Sequence, residues 1–264
     1  MTMRQVRPAD IRDIYALRAE TIDYFFPDRE EEIDFWADLI GDYGEDVLHL
    51  LCGTAEISMG LAKRGFNVTG LDLTEEMIYV AEDKVEEEKE NQEELNIELV
   101  NDDARYFNIN KKFNFSFIST GDFHHFKDRE DINSVLAKTY AHLRSGGAVA
   151  LELFPLPDED FHREEKKFDP MRAPPNGMDI WKTNQTSYHL DSQILEIKEE
   201  LFVDRRDKGE VETGEYEIQL KLFSKGEIKE ILQEQGFENI EFLDNHEFTP
   251  YLKDSDTLVV TGER

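Results

Sequence analysis

The feature that most constrains this chain is a strand–turn–helix–strand pattern over Val47–Asp72. Val47–Leu51 is a short apolar run, which is typical of a parallel strand buried on both faces. The small residues Cys52–Thr54 follow as a tight turn, and Ala55–Arg64 carries apolar residues at helical spacing. A second apolar run, Phe66–Asp72, ends in a carboxylate about 20 residues after the turn. The stretch therefore predicts one βαβ unit of an α/β sheet.

The chemistry of this unit favours a nucleoside-like cofactor. A turn of small residues lets a ligand approach the backbone, and the following helix points its N–H groups at that ligand. Asp72 can accept hydrogen bonds from two adjacent ribose hydroxyls. The turn offers only Gly53, so the GxGxxG pattern of a dinucleotide site is absent, and no GxxxxGK[ST] phosphate loop follows.

The turn His49–Ala55, with the sequence HLLCGTA, resembles the first motif of the class I S-adenosylmethionine-dependent methyltransferases. That motif is usually an acidic residue followed by LGCGTG. Leu71–Asp72 and the following Glu75–Met77 also match the family. The chain departs from the motif with His49 for the acid, Leu51 for the first glycine and Ala55 for the last.

The resemblance implies S-adenosyl-L-methionine as the cofactor and assigns the residues that bind it. The family's acid organises the methionine end of the cofactor, so here either His49 donates to the cofactor carboxylate or a water takes that place. Asp103 matches the family's acceptor for the adenine amino group, with Asp102 as the neighbouring alternative. The implied cofactor-binding residues are His49, Cys52, Gly53, Thr54, Ala55, Asp72, Leu73, Met77, Asp103, Ala104, Thr120 and Gly121.

A second loop, Thr120–Phe126, follows the predicted strand Phe113–Ser119 and carries the candidate catalytic residues. Ligands of open α/β sheets lie beyond the carboxyl ends of the strands, so this loop faces the same crevice as the turn. His125 is the candidate general base because histidine titrates near neutral pH, and Asp122 is the second candidate. The alternative is a structural histidine that ties the loop to the backbone. No third ligand with recognisable spacing follows, so we predict no metal here.

The order of the elements predicts an α/β fold. It is a Rossmann-like, seven-stranded, mainly parallel sheet with helices on both faces, plus a small antiparallel β lid. The methyltransferase core is expected over residues 1–154 and 222–264, with residues 1–45 as an N-terminal helical cap. Residues 155–221 alternate in polarity with period two and are rich in proline at their start, which indicates an inserted β lid or substrate subdomain. Ser224–Glu227 has the pattern of a helix capping box.

Aromatic and basic residues of the cap and the insertion are candidates to line a substrate pocket. They are Tyr15, Tyr24, Arg172, Trp181 and Tyr188, and ordinary packing is the alternative for each of them. The predicted reaction is methyl transfer to the amine or hydroxyl of a small molecule. Two other hypotheses remain: a methyltransferase acting on a protein substrate, and a non-catalytic member of the fold.

Composition limits the partners and the compartment. Sixty acidic and 30 basic residues give a net charge of −30, which opposes binding to nucleic acid. The excess of acid indicates either a solvated surface suited to a salty cytoplasm, which we prefer, or attraction of a cationic substrate. No apolar run is long enough to span a membrane, the start lacks a signal-peptide pattern, and the single cysteine excludes an internal disulfide. We predict a cytoplasmic monomer or homodimer.

Overall fold

The computed structural model describes residues 4–6, 11–26, 28–91, 95–156, 165–170, 178–205, 210–244, 246–252, 255 and 257–264. It divides into two compact units. The first unit comprises Met1–Pro27 and Pro157–Lys221, and the second comprises Asp28–Leu156 and Leu222–Arg264. The first 27 residues therefore group with the inserted strands, whereas the next helix belongs to the second unit.

The α-helices are α1 (Ile11–Thr21), α2 (Glu30–Gly41), α3 (Glu56–Lys63), α4 (Glu75–Glu90), α5 (Arg129–His142) and α6 (Lys225–Glu234). The strands are β1 (Arg4–Val6), β2 (Asp46–Leu50), β3 (Asn67–Asp72), β4 (Ile97–Asn101), β5 (Phe113–Ile118), β6 (Leu143–Leu153), β7 (Glu165–Pro170), β8 (Met178–His189), β9 (Ile194–Arg205), β10 (Glu210–Lys221), β11 (Glu238–Asp244), β12 (Glu247–Pro250) and β13 (Leu258–Glu263). Short 3-10 turns cover Ile22–Phe25 and Asp122–His125.

The second unit is built on a sheet that, within the described residues, has eight strands in the order β12-β11-β13-β6-β5-β2-β3-β4. Strands β4, β3, β2, β5 and β6 are parallel, and β13, β11 and β12 continue the sheet in antiparallel pairs. The chain builds outward from β2 to β4 in one direction and then restarts with β5 on the other side of β2. This change of direction is the topological switch point, where ligands bind in open α/β sheets.

Apolar side chains of β2 enter the core on both sides of the sheet. Val47 packs in one cluster with Trp36 and Phe117, while Leu48 and Leu50 pack in the other. Because successive residues of a strand point to opposite faces, burial on both faces requires a continuous apolar run rather than an alternating one. This packing explains why the run stands out in the sequence.

The predicted Rossmann-like fold and the presence of a separate, mainly antiparallel sheet are confirmed. The sheet has one strand more than predicted, because the four-residue β12 pairs with β11 at the edge. The whole of β12 is exposed, so it has no apolar run to mark it in the sequence. No helix in the described part of the chain is long and apolar enough to cross a membrane.

The first unit contains a sheet in the order β1-β10-β9-β8-β7. Each of the strands β7 to β10 pairs antiparallel with the next one in the sequence, and β1 pairs parallel with β10. Leu17 of α1 packs with Ile180, Leu201 and Val203 in a small core of this unit. Lys182 and Glu199 form a largely buried ion pair at 3.1 Å on neighbouring strands.

Candidate cofactor and active site

The turn after β2 has an unusual backbone. Leu51, Gly53 and Ala55 all have left-handed φ angles, of 56°, 54° and 62°. Such angles favour glycine and cost other residues roughly 1–2 kcal/mol each. Leu51 and Ala55 are the two positions at which the chain departs from the glycines of the family motif, so the chain has left-handed backbone at all three glycine positions but keeps only the middle glycine, Gly53.

Gly53 leaves open space at the centre of this turn. A Cβ atom built on Gly53 would meet no atom within 4 Å, apart from its chain neighbours. The backbone of the turn is therefore accessible from that side, as close approach of a ligand requires. Cys52 is buried, and burial raises the pKa of its thiol well above the usual range, so Cys52 acts as a small apolar residue under the turn.

Asp72 at the end of β3 is held in a fixed position beside this turn. Its Oδ2 accepts a hydrogen bond from the Gly53 N–H at 2.9 Å, and its Oδ1 accepts one from the Thr74 N–H at 2.8 Å. Burial raises the pKa of Asp72, and the two amide bonds oppose that shift. The Thr74 side chain also bonds to this carboxylate, and the acceptor capacity that remains is available to a ribose hydroxyl.

His49 is buried beneath the turn and bonded through both ring nitrogens. Nδ1 lies 2.8 Å from the Ser58 hydroxyl of α3, and Nε2 lies 3.0 Å from the Ser119 hydroxyl after β5. The ring stacks on Phe117 with 4.1 Å between centroids. Burial lowers the pKa of His49 to about 3, so the ring is neutral. The geometry favours indirect positioning of the turn, and direct donation from His49 to a cofactor stays a prediction.

The adenine-binding candidates after β4 differ in how their carboxylates are used. Asp103 pairs with Arg105 at 2.6 Å, and Arg105 in turn pairs with Asp131 of α5 at 2.9 Å. Hydrogen bonds from Arg105 lower the pKa of Asp103. Asp102 is exposed and accepts from the Asp103 N–H at 2.8 Å. Asp102 thus has more free acceptor capacity than Asp103, and both assignments stay predictions.

The loop after β5 brings the two predicted catalytic residues together. The Thr120 hydroxyl donates to Asp122 Oδ2 at 2.7 Å, and Asp122 Oδ1 lies 3.6 Å from His125 Nε2. The side chain of His125 is 38% exposed, which leaves it accessible to a reacting group. The Thr120 N–H donates to Glu152 Oε2 of β6 at 2.7 Å and anchors the start of the loop. Thr120, Asp122 and His125 therefore form one connected set.

The neighbouring histidine has a different role. His124 is fully buried, its Nε2 accepts from the Phe154 N–H at 2.8 Å, and its ring stacks against Phe154 and Phe223. His124 thus ties this loop to the backbone, whereas the catalytic role of His125 stays a prediction. Gly121 also packs on Phe154, because a Cβ at Gly121 would lie 2.6 Å from that ring.

The other predicted cofactor residues lie around the same strand ends. Leu73, directly after Asp72, is 62% exposed and offers apolar surface to a ligand. Four other predicted residues have buried side chains, so a ligand could contact their backbone atoms rather than their side chains. They are Thr54, Ala55, Met77 and Ala104.

The predicted substrate-binding residues that the structure describes belong to the first unit. Trp181 of β8 stacks on Phe202 with 5.1 Å between centroids, whereas Tyr188 is seven residues further along the same strand and is buried. Side chains alternate along a strand, so Trp181 and Tyr188 point to opposite faces of the sheet. Tyr15 of α1 is partly exposed and Tyr24 packs on the small core. Arg172 lies outside the described residues.

Sequence reasoning missed Glu152, Ser58 and Ser119 at this site. Ser58 and Ser119 are ordinary polar residues in the sequence, and only the fold brings them to His49. The sequence gives one indication of Glu152, because this acidic residue lies inside the apolar run of β6. In the structure Glu152 is 4% exposed. Acids are rarely buried unless they are paired, so this position predicts a partner.

Comparison with known proteins agrees with this geometry. Residues 47–147 match the family described as "Methyltransferase domain". This stretch of 101 residues, out of 264, is similar to that family. It includes the turn after β2, Asp72, Asp103 and the loop from Thr120 to His125. The resemblance predicted from the turn is thereby confirmed.

Two curated proteins are similar to parts of the chain. YqeM of Bacillus subtilis (strain 168), which is named as a methyltransferase, is 59% identical over 39 residues, or 15% of this chain and 16% of YqeM. A second curated relative is matched over 41% of its length, so the chain spans less than half of these two relatives.

Among solved structures, an S-adenosylmethionine-dependent methyltransferase from Clostridium acetobutylicum ATCC 824 superposes with a TM-score of 0.77 at 17% identity, covering 94% of this chain and 98% of that one. CalS10, an amino pentose methyltransferase from Micromonospora echinaspora with S-adenosylmethionine bound, gives 0.69 at 19% identity, covering 90% and 92%. These likenesses show a common fold over nearly the whole chain.

Proposed function

We propose that the protein transfers the methyl group of S-adenosylmethionine to an amine or hydroxyl of a small molecule. The observation that carries the proposal is the fixed carboxylate of Asp72 beside the open turn at Gly53, with the loop containing His125 following the neighbouring strand β5. Both groups lie at the switch point of the sheet, where a cofactor and its acceptor can meet.

The residues present fit this cofactor. Asp72 supplies the acceptors for the ribose hydroxyls, Asp102 or Asp103 the acceptor for the adenine amino group, and Leu73 the apolar surface for the base. The open space at Gly53 admits the chain of the methionine end against the backbone. When bound, S-adenosylmethionine supplies an electrophilic methyl group on its sulfonium.

The protein's own contribution is orientation and removal of a proton. An amine must react unprotonated and a hydroxyl must lose its proton, and His125 is the group placed to accept it. Asp122, held by the Thr120 hydroxyl, orients the ring of His125 through Nε2 and leaves Nδ1 for the acceptor. Positioning of the acceptor in line with the methyl group supplies the remaining rate enhancement.

The acceptor class follows from chemistry and from a neighbour. CalS10 acts on an amino pentose, and an amine suits a strongly acidic protein that attracts cations. We therefore place amino sugars and other small amines first among candidate acceptors, ahead of hydroxyl compounds.

The test is formation of S-adenosylhomocysteine from S-adenosylmethionine, measured over a panel of small amines, amino sugars and hydroxyl compounds. The proposal predicts turnover with at least one small acceptor, and no turnover without an acceptor. Turnover only with a basic protein substrate would contradict the small-molecule acceptor, and cofactor binding without turnover on any acceptor would favour a non-catalytic member of the fold.

A further inference from the structure

Three side chains from distant parts of the second unit converge beside β6. Glu32 comes from α2, Glu152 from β6 and His246 from the turn before β12. One ligand atom of each lies within 4.8 Å of the others, and His246 Nε2 is 3.3 Å from Glu152 Oε1. We call these three residues the Glu–Glu–His cluster.

Two of these atoms are buried without a hydrogen bond. Glu32 Oε1 and His246 Nε2 are both inaccessible to solvent, and neither makes a hydrogen bond of good geometry among the described residues, although His246 Nε2 lies 3.3 Å from Glu152 Oε1. Glu152 is 4% exposed. Buried polar atoms without partners are rare, because each costs roughly 1–3 kcal/mol. A ligand that binds the His246 nitrogen and one carboxylate oxygen each of Glu32 and Glu152 would therefore stabilise the cluster.

Aromatic rings line one side of the cluster, and its side chains range from buried to partly exposed. The His246 ring packs against Phe35 with 5.2 Å between centroids and against Trp36 with 6.3 Å. Arg29 Nε lies 3.7 Å from Glu32 Oε2, the second oxygen of that carboxylate. Arg29 thus compensates part of the acidic charge and leaves Oε1 of Glu32 available.

We propose that the Glu–Glu–His cluster binds a divalent transition-metal ion, with Zn²⁺ as the best match. Zinc takes imidazole nitrogen and carboxylate oxygen at about 2.0–2.2 Å and is commonly held by three protein ligands with a water in the fourth position. The 3.3 Å between His246 Nε2 and Glu152 Oε1 suits two ligands of one such ion. Mg²⁺ and Ca²⁺ prefer shells made wholly of oxygen with six or more ligands, which fits the cluster less well.

The metal would act on the loop of the active site through Glu152. The second oxygen of Glu152 accepts from the Thr120 N–H at 2.7 Å, so an ion on Oε1 would fix the carboxylate that anchors this loop. The ion would also join α2, β6 and the turn before β12. This proposal does not depend on the proposed methyl transfer, because its tests report metal binding and stability.

The first test is uptake of Zn²⁺ by the chelator-stripped full chain. We expect one equivalent by elemental analysis after gel filtration, and a melting temperature that rises with Zn²⁺ and returns with chelator. Trp36 and Trp181 are the two tryptophans of the chain, so a Trp181→Phe background leaves Trp36 as the reporter. Co²⁺ in the cluster should quench Trp36 fluorescence. No uptake of Zn²⁺ by the wild-type chain would overturn the proposal.

Zn²⁺ binding by single-residue variants tests whether the ion binds at this cluster or at other histidines and acidic residues. Glu32→Gln removes a ligand charge and should weaken Zn²⁺ binding about tenfold or more while leaving the chelated protein folded. His246→Gln should abolish the Co²⁺ quenching. The matched control is His189→Gln in the other unit, where the exposed His189 lies 3.9 Å from Glu196. Unchanged Zn²⁺ binding in Glu32→Gln, or equal loss in the His189→Gln control, would contradict the assignment.

Discussion

At the scale of single residues, His49 shows how this chain replaces a charged group with a neutral one. The ring joins α3 and the end of β5 through two serine hydroxyls, and burial lowers its pKa to about 3. A neutral histidine cannot supply the negative charge of the family's acid. Its bonds to Ser58 and Ser119 instead hold the two segments that flank the turn.

The depressed pKa of His49 predicts acid destabilisation. Below its unfolded pKa of 6.5, the unfolded chain binds a proton at this site and the folded chain does not, so stability falls with pH until about pH 3. Between pH 6.5 and pH 5 the loss should be about 2 kcal/mol. His49→Asn should be less stable than wild type at pH 7 but lack this loss. Denaturant unfolding over this range tests it, and parallel losses in the two proteins would contradict it.

His125 carries the predicted proton transfer, and its removal should separate catalysis from binding. We expect His125→Ala to lower kcat by about 100-fold, a typical loss for a general base. Cofactor affinity should stay nearly unchanged, because His125 makes no contact with Asp72 or the turn among the described residues. Initial rates and cofactor titration measure the two effects, with His189→Ala as the control. Equal turnover in His125→Ala would rule out the catalytic role.

At the scale of elements, local signals were predictable and long-range contacts were not. The turn after β2, the apolar runs and the capping box of α6 each depend on neighbouring residues, and the structure shows them as predicted. The bonds from His49 to Ser58 and Ser119, nine and 70 residues away, depend on the tertiary fold. The same holds for the Glu–Glu–His cluster, whose members lie on three separate elements.

The capping box of α6 gives a test at this scale. The Ser224 hydroxyl accepts from the Glu227 N–H at 3.2 Å, and the Glu227 carboxylate accepts from the Ser224 N–H at 2.7 Å. Ser224→Ala should reduce the free energy of unfolding by about 1 kcal/mol, the usual contribution of such a cap. Urea unfolding measures it, with Ser192→Ala, on the exposed β8–β9 turn, as the control. A loss no larger than that of the control would show that the cap contributes little.

At the scale of the whole molecule, the net charge of −30 dominates behaviour in solution. Like charges on a folded chain repel each other, and salt shortens the range of this repulsion from about 10 Å at 0.1 M to about 3 Å at 1 M. Salt also weakens surface ion pairs, but each such pair contributes little to the free energy of unfolding.

We therefore expect the melting temperature to rise as NaCl increases from about 0.1 M to 1 M at neutral pH. The effect should shrink near the isoelectric point of about 4.5, where the net charge vanishes. Differential scanning calorimetry over this range of NaCl, at neutral pH and near the isoelectric point, measures the melting temperatures. A melting temperature that falls with salt at neutral pH would mean that ion pairs outweigh repulsion.

We expect the turn after β2 and Asp72 to hold S-adenosylmethionine. Calorimetric titration of the cofactor into the wild-type chain, Asp72→Asn and Asp46→Asn tests it most directly. Asp46 begins β2, at the opposite end of the sheet, and serves as the matched control. We predict micromolar binding to wild type and Asp46→Asn, and binding to Asp72→Asn weaker by about tenfold or more, roughly 1.4 kcal/mol. No binding to the wild-type chain at low or high salt, or equal affinity in Asp72→Asn, would contradict it.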